Sequence, residues 1–202
     1  MKAWILAAIA IALSGAAARA ADPRYPDWPC TQAKVPEISL SAVWAGPVLD
    51  DVQNKWKDDA KVSALVAKLS ARKTPLDEAE KSVKEFLAAS ATDKTANAKL
   101  LFAGLFDTLN AQRSQVMSGL ERVSRKQREA ADKIREETLA LQALQGATSR
   151  DETKVEALSN ELIWKTRIFE DRHKVVRFVC EVPTTIDQRL FALGRVIQQE
   201  ME

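Results

Sequence analysis

From about Lys94 to Gln145 the chain has no proline, and Gly104 and Gly119 are the only glycines in the stretch. Ala, Leu, Glu, Gln, Lys and Arg dominate it, all good helix formers. This predicts one helix of about 50 residues, roughly 75 Å long at 1.5 Å per residue. Its two halves carry different patterns. Leu100, Leu101, Phe102, Leu105, Phe106 and Leu109 surround much of the helix, which predicts burial on several sides. Beyond them the apolar positions narrow to one stripe: Val116, Leu120, Val123, Gln127, Ala130, Ile134, Leu141 and Leu144. Spacings of three and four, with one polar gap at Glu137/Thr138, are those of a coiled-coil seam.

Gln145 to Ser149 reads as a turn around Gly146, with Ser149 or Asp151 available to cap a return helix. That helix repeats the seam with Val155, Leu158, Leu162, Phe169, Val176 and Val179. Folding one stripe back on the other pairs positions whose numbers sum to about 296, so that Gln127 meets Phe169 and Leu120 meets Val176. Apolar residues meet along the register, which predicts a helical hairpin. Pro183 is expected to end the return helix. A last helix from Thr184 or Thr185 would bury Ile186, Leu190, Leu193 and Ile197.

The N-terminal third is different. Pro23, Pro26, Pro29, Pro36 and Pro47 exclude a long helix before residue 50. Tyr25, Trp28, Val35, Ile38, Leu40, Val43 and Trp44 are too apolar for a free tail, so the segment is expected to form an extended strap packed on helices. Helical spacing resumes after Asp51. Asp58 or Asp59 can cap a helix bearing Val62, Leu65, Val66 and Leu69, and Thr74 is the expected cap of another with Pro75 in its first turn. The predicted fold is all-α: a compact helical head, a long antiparallel hairpin forming a coiled-coil-like arm, and a Pro-rich strap. Residues 21–50 would be the strap, and 51–202 one helical domain with the arm at about 116–180.

Residues 1–20 read as a signal peptide. Lys2 supplies the positive start, Trp4 to Leu13 an apolar run too short to span a membrane, and Ala18-Arg19-Ala20 a small-x-small cleavage box. The expected compartment is the periplasm. The whole chain carries 30 Lys and Arg against 28 Asp and Glu; loss of Lys2 and Arg19 leaves 28 against 28. That balance argues against nucleic acid as a partner, which demands a basic face. Cys30 and Cys180 are the only cysteines. In an exported protein they read first as one disulfide, closing a loop worth roughly 5 kcal/mol in the chain-entropy account, with two buried thiols as the alternative.

Few residues suggest chemistry. His173 is the one histidine and has only Glu170 and Asp171 nearby, so no metal or other cofactor is expected. Phosphate loops, nucleophile elbows and zinc-protease motifs are missing from the sequence, and no enzyme activity is expected. Arg122, Arg125, Lys126 and Arg128 form a basic cluster that could hold an anionic group, or be solvated flanks among Glu121, Glu129 and Asp132. Ile163 and Trp164 fall off the hairpin seam, where they could meet the last helix, a second copy or another protein.

The runs Tyr25–Cys30 (YPDWPC), Val43–Pro47 (VWAGP), Phe102–Phe106 (FAGLF) with Leu109, Asn110 and Arg113, and Phe178–Pro183 (FVCEVP) resemble an uncharacterised family of exported bacterial helical proteins. The resemblance implies export and a paired Cys30 and Cys180, and brings no catalytic residues with it. The leading expectation is a non-enzymatic periplasmic interaction or scaffold protein presenting its hairpin to another periplasmic protein or to itself. Ile163, Trp164, Arg122, Arg125, Lys126 and Arg128 are its candidate contacts. The alternative is a small-ligand binder with a pocket between strap and head, lined by Trp28, Trp44, Phe102 and Phe106.

Overall fold

The computed structural model describes residues 22–90 and 92–202, so the expected signal peptide lies outside the described residues. All regular structure in them is helical. The order is α1 (Leu40–Val43), a 3₁₀ turn (Lys55–Lys57), α2 (Ala60–Ser70), α3 (Leu76–Ala89), α4 (Lys94–Gln145), α5 (Glu152–Val179) and α6 (Val182–Met201). Asp59 caps α2 by accepting from the backbone N–H groups of Lys61 and Val62 at 2.9 and 3.0 Å. Asp151 caps α5 through the Lys154 N–H at 3.1 Å. Each carboxylate satisfies donors that the first helical turn leaves without partners.

Two expected helix boundaries are corrected. Thr74 does not cap α3; its hydroxyl donates to the Lys68 carbonyl at 2.9 Å and so closes the end of α2, while Pro75 takes the cap position. Pro183 does not end the return helix either. It sits in the first turn of α6, where a missing N–H costs nothing because no intrahelical acceptor exists there. Only Cys180 and Glu181 separate α5 from α6, so the two form one long bent helical run.

The hydrophobic core collects Val62, Val66 and Leu69 of α2, Val83 and Leu87 of α3, Leu101, Phe102, Leu105 and Leu109 of α4, and Leu190, Leu193 and Ile197 of α6. Burial along α4 continues to Leu120 and stops. Gly104 lets α4 approach α2 closely: a Cβ there would meet Val66 Cγ2 at 2.6 Å and the Trp56 ring at 2.9 Å. Gly194 does the same for α6 against the Val43 carbonyl, at 2.8 Å. Trp56 is buried, with its indole N–H donated to Asp107 at 2.9 Å.

Beyond Leu120, α4 pairs with α5 as an antiparallel helical hairpin. The Gln127 amide donates to the Phe169 carbonyl at 3.1 Å, two positions that sequence spacing places opposite each other. The polar gap is filled from across the seam, where Lys165 pairs with Glu137 at 2.5 Å and with its own helix's Glu161 at 2.6 Å. Leu162 is the only buried residue of α5.

Candidate functional site

Residues 22–39 form no helix and lie against one flank of the hairpin base. Cys30 is disulfide-bonded to Cys180, at the α5–α6 junction. Gln32 donates its amide to the Cys180 carbonyl, and Lys34 pairs with Glu121 of α4 at 2.5 Å. Asp27 receives Arg125 at 2.6 Å and Arg128 as a second partner, while Arg128 also donates to the Pro26 carbonyl at 3.2 Å. The hydrogen bond from Arg125, then that from Arg128, holds the Asp27 carboxyl below its ordinary value of 3.8. Two members of the basic cluster are thus occupied by the chain's own N-terminal segment. The segment does not bury everything expected of it: Val35 is exposed.

Arg113 ties the same segment to the core. Its side chain is buried, Nη1 donates to the Pro36 carbonyl at 3.2 Å, and Nε lies 2.7 Å from Asp187 Oδ1 of α6. Those last two atoms touch without lining up as a hydrogen bond. Desolvation by burial pushes the Asp187 carboxyl up, against the opposing pull of Arg113. Sequence reasoning named Arg113 among the residues of the family resemblance, and missed the roles of Asp27 and Asp187. A signal was present for Arg113, which is a lone charge at helical spacing between Leu109 and Leu120.

The other flank of the hairpin is open. At 100° per residue, the Glu121, Arg125 and Arg128 side of α4 lies roughly opposite the Gly119, Val123 and Lys126 side. On that second side a groove of about 750 Å³ runs between α4 and α5. Val116, Leu120 and Val123 of α4 and Ile168, Val175, Val176 and Val179 of α5 line it, with Arg122, Lys126, Asp171 and Arg172. Trp164, Ile168, Val175 and Phe178 fall within about 80° on α5 and form a second apolar stripe beside the seam. They are 63, 47, 58 and 76% exposed.

The candidate contact residues are divided by this geometry. Arg122 and Lys126 stand at the groove, and Trp164 lies outside its lining, one turn before Ile168 on the same face of α5. Arg125 and Arg128 belong to the covered flank. Ile163 is exposed, but it lies about 100° from Trp164 and lines a separate shallow concavity with Leu141, Leu162 and Thr166. The pair expected on one outer face is split between two. The expected contact of Trp164 and Ile163 with the last helix is not made within the chain, since both side chains stay exposed.

The candidate ligand-pocket residues are not brought together as one lining. Trp44 stacks on Phe102 with ring centroids 4.2 Å apart, and Phe106 lies 6.3 Å from Phe102, so these three rings fill space as part of the core. Trp28 is elsewhere, its indole N–H donated to the Gln32 carbonyl at 2.8 Å. His173 is exposed on α5.

No family model, curated protein or solved structure matches this chain. The resemblance drawn from the YPDWPC, VWAGP, FAGLF and FVCEVP runs, with Leu109, Asn110 and Arg113, therefore rests on those residues alone. No described helix is long and apolar enough to cross a membrane.

Proposed function

We propose that this is a non-enzymatic, exported interaction protein that works in the periplasm and presents its helical hairpin to another protein. In this reading residues 21–50 are a strap that braces one flank of the hairpin, and the open flank meets the partner. The observation that carries the proposal is the exposed apolar stripe of α5: Ile168 and Val175 line a groove walled by valine, leucine and isoleucine, Trp164 extends the stripe at one end, and Phe178 at the other borders a second concavity with Pro29, Cys30 and Gln32. Leaving such hydrocarbon in water is unfavourable by about 25 cal/mol per Å², and contiguous exposed apolar surface is the usual mark of an interaction site. Trp164 adds an anchor of the residue type most often found at binding hot spots.

The test is site-specific photocrosslinking in intact cells of the native host. A crosslinker at position 164 or 175 should give an adduct of discrete mass, whereas one at Lys81, exposed on α3 of the helical head, should not. Only diffuse products from 164 and 175 would sink the proposal.

A further inference from the structure

We propose that the groove between α4 and α5 takes an amphipathic helix of a partner protein, with Asp and Glu flanking its apolar stripe. The bound helix completes a three-helix bundle. This rests on the interaction reading above and adds the partner's chemistry.

The shape of the floor selects a helix. Its apolar residues recur at helical spacing on both walls, four and three apart as Val116, Leu120 and Val123 on α4, and seven and four apart as Ile168, Val175 and Val179 on α5. Two parallel or antiparallel helices with such walls leave a trough into which the ridges of a third helix fit. The lined stretch is about 16 Å long, three turns of helix. A bilayer surface is flat and would rest on the rims without reaching the floor.

The charge of the rim selects the partner's sign. Arg122, Lys126 and Arg172 border the groove, and among the described residues none of the three makes an ion pair within the chain. The one acid at the groove, Asp171, is held by Lys174 at 3.2 Å. The opposite flank supplies an internal comparison. There the basic residues Arg125 and Arg128 are met by Asp27, an acid delivered by a segment lying along the hairpin. The open flank presents the same problem with no acid to answer it. A second copy docking through this groove would set its cations against their own kind, which disfavours self-association.

The experiment uses the disulfide-bonded chain from Ala21 onward and a fluorescein-labelled synthetic helix of about 21 residues, six turns. The helix carries leucine at its a and d positions and glutamate on both flanks. Controls are the same peptide with lysine flanks, the glutamate peptide with serine in place of leucine, and phosphatidylglycerol vesicles. The leucine–glutamate peptide should bind at least about tenfold more tightly than the lysine version, with affinity falling as salt rises. Val175→Glu should weaken it at least about tenfold. The triple variant Arg122→Glu/Lys126→Glu/Arg172→Glu should reverse the preference toward lysine flanks. All four positions are exposed, so the variants should fold, which circular dichroism and thermal melting would establish first.

Equal affinity for both leucine peptides would overturn the inference. So would binding untouched by Val175→Glu, preferential capture by the vesicles, or a concentration-dependent dimer abolished by that substitution. If position 164 or 175 crosslinks a native protein but the acidic helix does not bind, this inference falls and the interaction reading stands. If the acidic helix binds with the expected preference but no native adduct forms, the interaction reading fails and the groove's selectivity stands.

Discussion

The two halves of α4 are one uninterrupted helix, yet they are held in different ways. Before Leu120 it is surrounded: Leu101, Phe102 and Leu105 are fully buried against α1, α2 and α6. After Leu120 it has one helical neighbour, and its seam is exposed at Val123 and half-buried from Gln127 to Leu144. The first half owes its stability to hydrocarbon burial on several sides. The second owes it to one seam, the Lys165–Glu137 pair, and the braces that residues 22–39 apply to one flank. What the comparison teaches is that a helix can be continuous in backbone while its local stability falls along its length. The less supported half is also the one with apolar surface to offer.

Four substitutions test this contrast, beginning with the largest effect. Phe102→Ala removes a fully buried ring stacked on Trp44 and should cost about 3–5 kcal/mol of global stability in denaturant titration. If it melted only the hairpin, the division of α4 would be misplaced. Cys30→Ala opens a covalent loop whose ends are 150 residues apart and should cost about 2–5 kcal/mol under oxidising conditions. Hydrogen exchange should show the loss first at the base of the hairpin. Leu162→Ala acts inside the hairpin at the one buried seam position of α5, and about 2 kcal/mol of local destabilisation is expected. Amides of residues 127–170 should exchange faster while those of α2 and α3 do not change. Uniform acceleration would mean that the molecule unfolds as one unit.

Trp164→Ala should change the melting temperature least, by an amount equivalent to under about 0.5 kcal/mol, because the side chain is already exposed. Its effect should appear in partner crosslinking instead. A clear fall in stability would mean that Trp164 packs within the chain.

Acid sharpens the contrast between the two flanks. Because the Asp27 carboxyl is held below 3.8, its contribution is complete above that pH and is lost as the pH falls through its folded-state value. Residues 22–28 should therefore lose exchange protection in acid while the disulfide still tethers Cys30. Asp27→Asn should show that loss at every pH and leave the groove on the other flank unaltered.

Much of the architecture was legible because it is written locally. Proline fixes φ and lacks a donor, so its absence from 76 to 182 permits long helices there, the run of good helix formers marks α4 (Lys94–Gln145), and Gly146 marks its turn. The period of three and four gave the seam, and the partnership of Gln127 with Phe169 followed from folding that period back on itself. Boundaries were less legible where one residue could serve two helices. Thr74 can cap α3 or close α2, and the choice falls to α2 because the Lys68 carbonyl comes within reach.

The site depended on tertiary structure. Sequence spacing by itself determined that Trp164, Ile168, Val175 and Phe178 share a face, because 100° per residue is a property of the backbone. It also determined that Cys30 and Cys180 were the sole candidates for a bridge. Only the tertiary structure decided which flank of the hairpin residues 22–39 would cover, and so which cations meet Asp27 and which are left at an open groove. The physical reason is range. Helical periodicity is set by hydrogen bonds four residues apart, whereas Asp27 reaches Arg125 across 98 residues through a chain path that no local rule specifies.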